Sequence, residues 1–192
     1  MKKLFLLIIF IGNIISVNAQ KNVIVDTFDD NSYGWSEAGN KKAMSYVSDG
    51  CLNLSSKKGV VCSSTAQLPI NYNEDFKVTF KIKLKKRPVV SSFDILFDVR
   101  EDGSFNSIGV LMGKQCIINV KGHESEPFKF NFTKTLDYEI QIIKKGRKLE
   151  LLINGMDMNS YDNIQFGSNN FAVLFSSISS SVLSVEEIVI EQ

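Results

Sequence analysis

The sequence predicts an all-β chain, an antiparallel two-sheet β-sandwich of jelly-roll type. Three observations lead there. Apolar residues recur at every second position through almost the whole chain after residue 20, the signature of strands with one buried face. Turn chemistry, rather than long linkers, separates these runs. No window of useful length shows a 3.6-residue helical period. About eleven strands in one chain suffice for two packed sheets.

The elements follow in order. In "VDTFDDNSYGWSE" (25–37), Val25 and Phe28 begin a strand pattern and Asp29-Asp30-Asn31 make a turn. Gly34 relaxes the backbone before Trp35, the only tryptophan. In "FKVTFKIKL", Phe76, Val78, Phe80, Ile82 and Leu84 alternate with Lys and Thr. In "FDILFDVR", Phe93, Ile95, Phe97 and Val99 face one way, and Asp94, Leu96, Asp98 and Arg100 the other. "SIGVLM", "QCIINV", "LDYEIQI", "KLELLIN", "NFAVLFS" and "VEEIVIE" continue the pattern. Glu101-Asp-Gly103 and Lys144–Lys148 supply turns, and Asn154-Gly155 is a type I′ hairpin signal, because both central residues must take positive φ. Pro69, Pro88 and Pro127 fall at segment ends, where a missing N–H does no harm.

Residues 1–19 read as a secretory signal peptide: Lys2 and Lys3, an apolar stretch from Leu4 to Ser16, and small residues at Val17-Asn18-Ala19. The apolar run falls short of the ~20 residues needed to span a bilayer. Residues 20–192 are then one exported domain, secreted, periplasmic or on the cell surface, with no transmembrane anchor after cleavage. Loss of Lys2 and Lys3 leaves 20 Lys and Arg against 21 Asp and Glu. A formal charge of −1 offers no footprint for nucleic acid. Lys77, Lys81, Lys83 and Lys85 share one strand face and read as a solvated face or a lysine-guarded edge.

Export permits disulfides. A hairpin turning at Ser56-Lys57 would set Cys51 opposite Cys62, close enough to bridge, with Cys116 left as a buried thiol. No CxxC occurs and His123 is the only histidine, so a Cys/His zinc site is disfavoured. The same lone imidazole, and the lack of a G-x-S-x-G elbow, argue against nucleophilic catalysis.

In its order of pieces the chain resembles the concanavalin A-like lectin/glucanase superfamily, in the form related to laminin-G-like and 3-keto-disaccharide-hydrolase-like domains. The residues that carry the resemblance are "FDDNSYGW", "DGCLNL", "FKVTFKIKL", "FDILFDVREDGSFNSIGVLMG", "YEIQIIKKGRKLELLINGMDM" and "SVEEIVIEQ". It implies a concanavalin A-like jelly roll, with the N-terminal strand brought onto the sandwich and Trp35 in the core or seam rather than serving as a sugar platform, and a function among sugar binding, glycoside hydrolysis and adhesion. The superfamily's glycosidases carry a Glu-x-Asp-x-x-Glu strand, which this sequence lacks. Asp94 and Asp98 are the nearest substitute, yet their Cα atoms would lie ~13 Å apart along an extended strand. Glycosidases need their carboxyls about 5–9.5 Å apart.

The expected ligand site is therefore the polar face of Asp94, Asp98 and Arg100, joined by Asn119 and Lys121 from a nearby strand. Tyr72, Phe105 and Tyr161 are the aromatics available for stacking. No cofactor is required. A structural calcium is a second expectation, from Asp26, Asp29, Asp30 and Asn31 with Glu187, and Glu186 beside it, since Ca²⁺ takes six to eight oxygens of this kind. The leading functional expectation is a non-catalytic carbohydrate- or glycan-binding module. The alternatives are a hydrolase of the 3-keto-disaccharide-hydrolase-like type, and a surface adhesion domain with a protein partner.

Overall fold

The computed structural model describes residues 22–85, 91–111, 115–129 and 136–192. The predicted signal peptide lies outside them. Fifteen strands are present among the described residues. They are β1 (Val23–Asp26), β2 (Ala38–Gly39), β3 (Ala43–Ser48), β4 (Cys51–Ser56), β5 (Cys62–Gln67), β6 (Phe76–Leu84), β7 (Ser91–Phe97) and β8 (Asn106–Leu111). There follow β9 (Gln115–Asn119), β10 (Glu126–Lys129), β11 (Asp137–Lys145), β12 (Lys148–Ile153), β13 (Met156–Tyr161), β14 (Asn170–Ser177) and β15 (Ser181–Glu191).

One sheet has nine strands in the order β13-β12-β11-β6-β15-β4-β3-β2, with β1 also on β15. The other has six, β10-β9-β8-β7-β14-β5. Every pairing is antiparallel. The all-β two-sheet sandwich expected from the period-two pattern is the fold. The strand count exceeds the expected eleven in part because short edge pieces, β2 and β10, add pairings without adding apolar runs.

The inner faces carry the alternating apolar residues. Phe76, Val78, Phe80, Ile82 and Leu84 of β6 are all buried, and so are Phe93, Ile95 and Phe97 of β7. A chain of aromatic rings links the sheets: Phe80 lies 6.1 Å from Phe171, Phe171 6.5 Å from Phe97, and Phe97 6.1 Å from Phe166. Trp35 is 1 % exposed and donates its indole N–H to Asp26 Oδ2 at 3.3 Å. It is a core residue, as the sequence suggested.

β15 holds the nine-stranded sheet together. One of its edges pairs with β6 along its length, across a bulge between Val185 and Glu187. Its other edge is shared in succession by β4 (Ser181–Val185) and β1 (Ile188–Glu191). On the outer face, lysines of the central strand β6 meet acids on its neighbours. Lys77 pairs with Glu191 at 2.9 Å, Lys81 with Glu187 at 2.7 Å, and Lys83 with Asp137 and Glu186 at 3.6 and 3.7 Å. The lysine run thus lies on a solvated face; β6 is not an edge.

The cysteine expectation is corrected. β4 and β5 do not form a hairpin: β4 pairs with β3 and β15, β5 with β14 in the other sheet. The chain crosses between sheets through residues 57–61. Cys51 pairs with Ser48 at the far end of β4, five residues from that crossing. At about 3.3 Å of rise per residue the separation exceeds the ~7 Å Cα limit for a bridge. All three cysteines are free, and burial, with the charge of Asp94 as a lesser cause, pushes the Cys116 thiol up to about 12. Thiol titration of the unfolded, unreduced chain is expected to return all three cysteines; a single reactive thiol would restore the bridge.

Candidate functional site

The structure divides the expected polar face in two. Asp94 and Asn119 stay on the outer face of the six-stranded sheet. Asp98, Arg100 and Lys121 belong to a cleft at one end of the sandwich.

On the outer face, β7 Asp94 pairs with β8 Gly109 and β14 Leu174, and Gly109 continues to β9 Ile117. Gly109 leaves the space in which the carboxyl lies, for a Cβ there would collide with Asp94 Oδ1. The adjoining row is Asn119, Ser107, Leu96 and Ala172, in which Asn119 Nδ2 donates to Ser107 Oγ at 3.1 Å. Leu96, Ile117 and Leu174 around Asp94 are half-buried. Asp94 therefore sits in apolar surroundings, and burial pushes its pKa above the ordinary value.

The end cleft encloses about 460 Å³. Its walls come from both sheets: the loop after β7, the turn after β9, the β11–β12 turn and the β13–β14 connection. Its lining includes Asp98, Arg100, Asn106, Lys121, His123, Arg147, Asp162, Asn163 and Gln165. Asp98 organises it. Period two would have kept Asp98 on the face of Asp94, but β7 ends at Phe97 and Asp98 takes a φ of 53°, which turns its side chain into the fold. There it is 1 % exposed and accepts from Arg100 Nη2 (2.7 Å), Arg100 Nε (3.2 Å), Gly167 N (2.7 Å) and Asn106 Nδ2 (3.3 Å). Arg100 Nη2 also donates to the Gln165 carbonyl at 2.6 Å. Arg100 lies so close to Gly167 that a Cβ there would meet its Nε at 3.1 Å. Asn106 Oδ1 in turn accepts from Lys121 N at 2.8 Å, which ties the turn after β9 to the same network.

The second wall is anchored by packing. Phe166 packs between Phe76 (5.2 Å) and Phe97 (6.1 Å), and Ile164 is buried and donates to the Arg147 carbonyl at 2.8 Å. These contacts present Asn163 and Gln165 to the cleft. His123 lies edge-on to Tyr161, with centroids 5.0 Å apart. Lys121 reaches Ser104 Oγ at 3.1 Å and Asp102 at 3.7 Å. The Arg147 side chain makes no ion pair among the described residues.

Three expected aromatics take other places. Tyr161 is buried behind His123, Tyr72 packs against the core in the β5–β6 connection, and Phe105 is exposed in the loop after β7 but does not line the cleft. His123, Arg147 and Asp162 were not expected at the site. His123 and Asp162 lie in turns without a motif, Arg147 in the Lys144–Lys148 segment that reads only as a turn, and only the topology brings those turns together.

The expected calcium ligands are engaged in other contacts. Asp26 accepts from Phe28 N (3.0 Å) and Trp35 Nε1, Asp29 from Thr27 Oγ1 (2.8 Å), and Asp30 from Ser32 N (2.9 Å). Asn31 caps Trp35 through its N and O at 2.7 and 2.8 Å, and Glu187 pairs with Lys81. Among the described residues, no group of three or more His, Cys, Asp or Glu converges as a metal site would.

No protein-family model matches the chain, and no curated protein matches its sequence. Solved structures do match its fold. The CBM2 module of the evolved Dit of Lactobacillus casei BL23 phage J-1 superposes with a TM-score of 0.62 at 11% identity, over 90% of this chain and 96% of that one. The Bacillus licheniformis beta-glucanase gives 0.61 at 10% identity, over 88% and 97%. The catalytic domain of a Thermotoga petrophila RKU-1 laminarinase gives 0.62 at 12%, over 90% and 98%. The chain has the concanavalin A-like jelly-roll fold of these structures, as the resemblance implied.

Asp94 gives a pH prediction. Its folded pKa is raised, so the fold holds the proton more tightly than the unfolded chain does. The cost of burying its charge is fully present above the folded pKa and relieved as the pH falls towards 3.8. Asp94→Asn is expected to stabilise the protein to urea at neutral pH, with the gain shrinking in acid. A variant equally stable to wild type at both pH values would refute this.

Proposed function

We propose that the protein is an exported, non-catalytic glycan-binding module that holds a saccharide in the end cleft. The observation that carries this reading is the chemistry of the cleft. Arg147, Asn163, Gln165 and His123 present planar hydrogen-bonding groups, which suit paired sugar hydroxyls, while the buried carboxyl Asp98 is fully consumed by Arg100, Asn106 and Gly167. Hydrolysis of a glycosidic bond needs two acids free to act on it. The outer face offers Asp94 with no second acid among the described strand residues of that face. The likeness to named glucanases supports a glycan as the partner class and leaves open whether the partner is bound or cut.

A second reading has one observation in its favour. Burial raises the pKa of the Asp94 carboxyl on the outer face, the direction of shift that suits a general acid. On that reading the protein is a hydrolase of the 3-keto-disaccharide-hydrolase-like type.

A glycan array followed by calorimetry on the best ligand separates the two. Binding without release of reducing sugar is expected. Arg147→Ala or His123→Ala is expected to lower affinity at least about tenfold, the loss of one to two good polar contacts. Sugar release abolished by Asp94→Asn would establish the hydrolase instead.

A further inference from the structure

The end of the sandwich opposite the cleft carries a second surface. Three connections meet there: residues 40–42 between β2 and β3, residues 57–61 between β4 and β5, and residues 178–180 between β14 and β15. They are bonded to one another. Lys57 N donates to the Lys42 carbonyl at 3.0 Å, Lys58 N to the Ile178 carbonyl at 3.0 Å, and Gly59 N to the Ser177 carbonyl at 2.9 Å. Ser56 Oγ closes the crossing on the Val60 carbonyl at 2.6 Å.

Two properties coincide on this surface. It is cationic: Lys41, Lys42, Lys57 and Lys58 all lie on it, and none makes an ion pair among the described residues. The segments 38–46, 55–63 and 176–185 contain no Asp or Glu, in a chain whose basic and acidic residues are otherwise nearly balanced. It is also apolar at its tip. Val61 and Ile178 are 57% and 61% exposed, more than any other large aliphatic side chain described, and Met44 is 44% exposed. A recess of about 490 Å³ is lined by Lys41, Lys42 and Lys57 together with Met44, Ser55 and Ser180.

Single exposed aliphatics are ordinary on protein surfaces. Two of them on bonded loops that also carry Lys57 and Lys58, at the same end as Lys41 and Lys42, are suited to an interface that is negative at its surface and apolar beneath. We infer that this end of the sandwich docks on an anionic lipid bilayer, with the lysines at the headgroups and Val61 and Ile178 reaching the acyl boundary. A soluble polyanion would use the lysines but gain nothing from aliphatic tips. A neutral glycan would call for aromatic platforms, and residues 57–61 and 178–180 contain no aromatic residue. The surface is remote from the cleft, so its fate does not bear on glycan binding.

The test is co-sedimentation of the protein with vesicles of equimolar phosphatidylglycerol and phosphatidylcholine, against phosphatidylcholine alone. Salt-sensitive binding to the anionic vesicles only is expected. Each lysine near such a surface contributes about fivefold in affinity, so Lys57→Glu with Lys58→Glu is expected to lose at least about tenfold. Val61→Asp with Ile178→Asp is expected to lose as much, and the milder Val61→Ser with Ile178→Ser to weaken binding measurably, all with unchanged thermal melting. Equal binding to both vesicle types would overturn the inference. So would indifference to the aliphatic substitutions, or lysine-dependent capture of soluble polygalacturonate that does not need Val61 and Ile178.

Discussion

The burial of one carboxylate, Asp98, is the constraint on which the end cleft depends. A charge at 1 % exposure is costly unless it is paired and fully hydrogen-bonded. The chain meets that demand with groups from three separate segments: Arg100 two residues on, Asn106 at the start of β8, and the Gly167 amide of the β13–β14 connection. Satisfying one carboxylate therefore fixes the relative positions of loops from both sheets. Removal of the charge would leave Arg100 without its main partner beside the Gln165 carbonyl, and the wall formed by residues 163–167 would lose its polar tie to the six-stranded sheet.

That wall is held a second time from the core side, where Phe166 packs between Phe76 of one sheet and Phe97 of the other. The site is consequently an outgrowth of the sandwich core rather than a flexible appendage. Rigid support of this kind matters for a binding module, since polar groups positioned in advance lose little freedom when a ligand arrives. The outer face around Asp94 is different in kind: one carboxyl over a glycine, among half-buried aliphatics, with no fork of hydrogen-bonding groups.

Much of the fold was legible in the sequence because a strict period of two has only one physical meaning, one buried face per strand. β6 and β7 could be read residue by residue, and the Asn154-Gly155 turn has the positive φ values, 50° and 73°, that its residues require. Trp35 was legible for a different reason, as a large apolar side chain in the entrance segment that the family resemblance places at a seam. The disulfide was not, because a short polar link between two strands looks the same whether it closes a hairpin or crosses between sheets. Asp98 misled in a related way: the alternation continues through it in sequence, while its backbone leaves the strand one residue earlier. His123 and Arg147 were invisible as site residues, since each lies in a turn whose neighbours are set by the order of strands in the sheets and by nothing local.

The central claim is that a saccharide occupies the cleft built around Asp98. Amide chemical-shift mapping during titration with an oligosaccharide selected on the array tests it most directly. The account predicts that the largest shifts fall in residues 98–106, 120–123, 146–147 and 162–167, with Asp94, Gly109 and Ile117 little changed. Shifts centred on Asp94, Gly109 and Ile117, with the cleft silent, would contradict it.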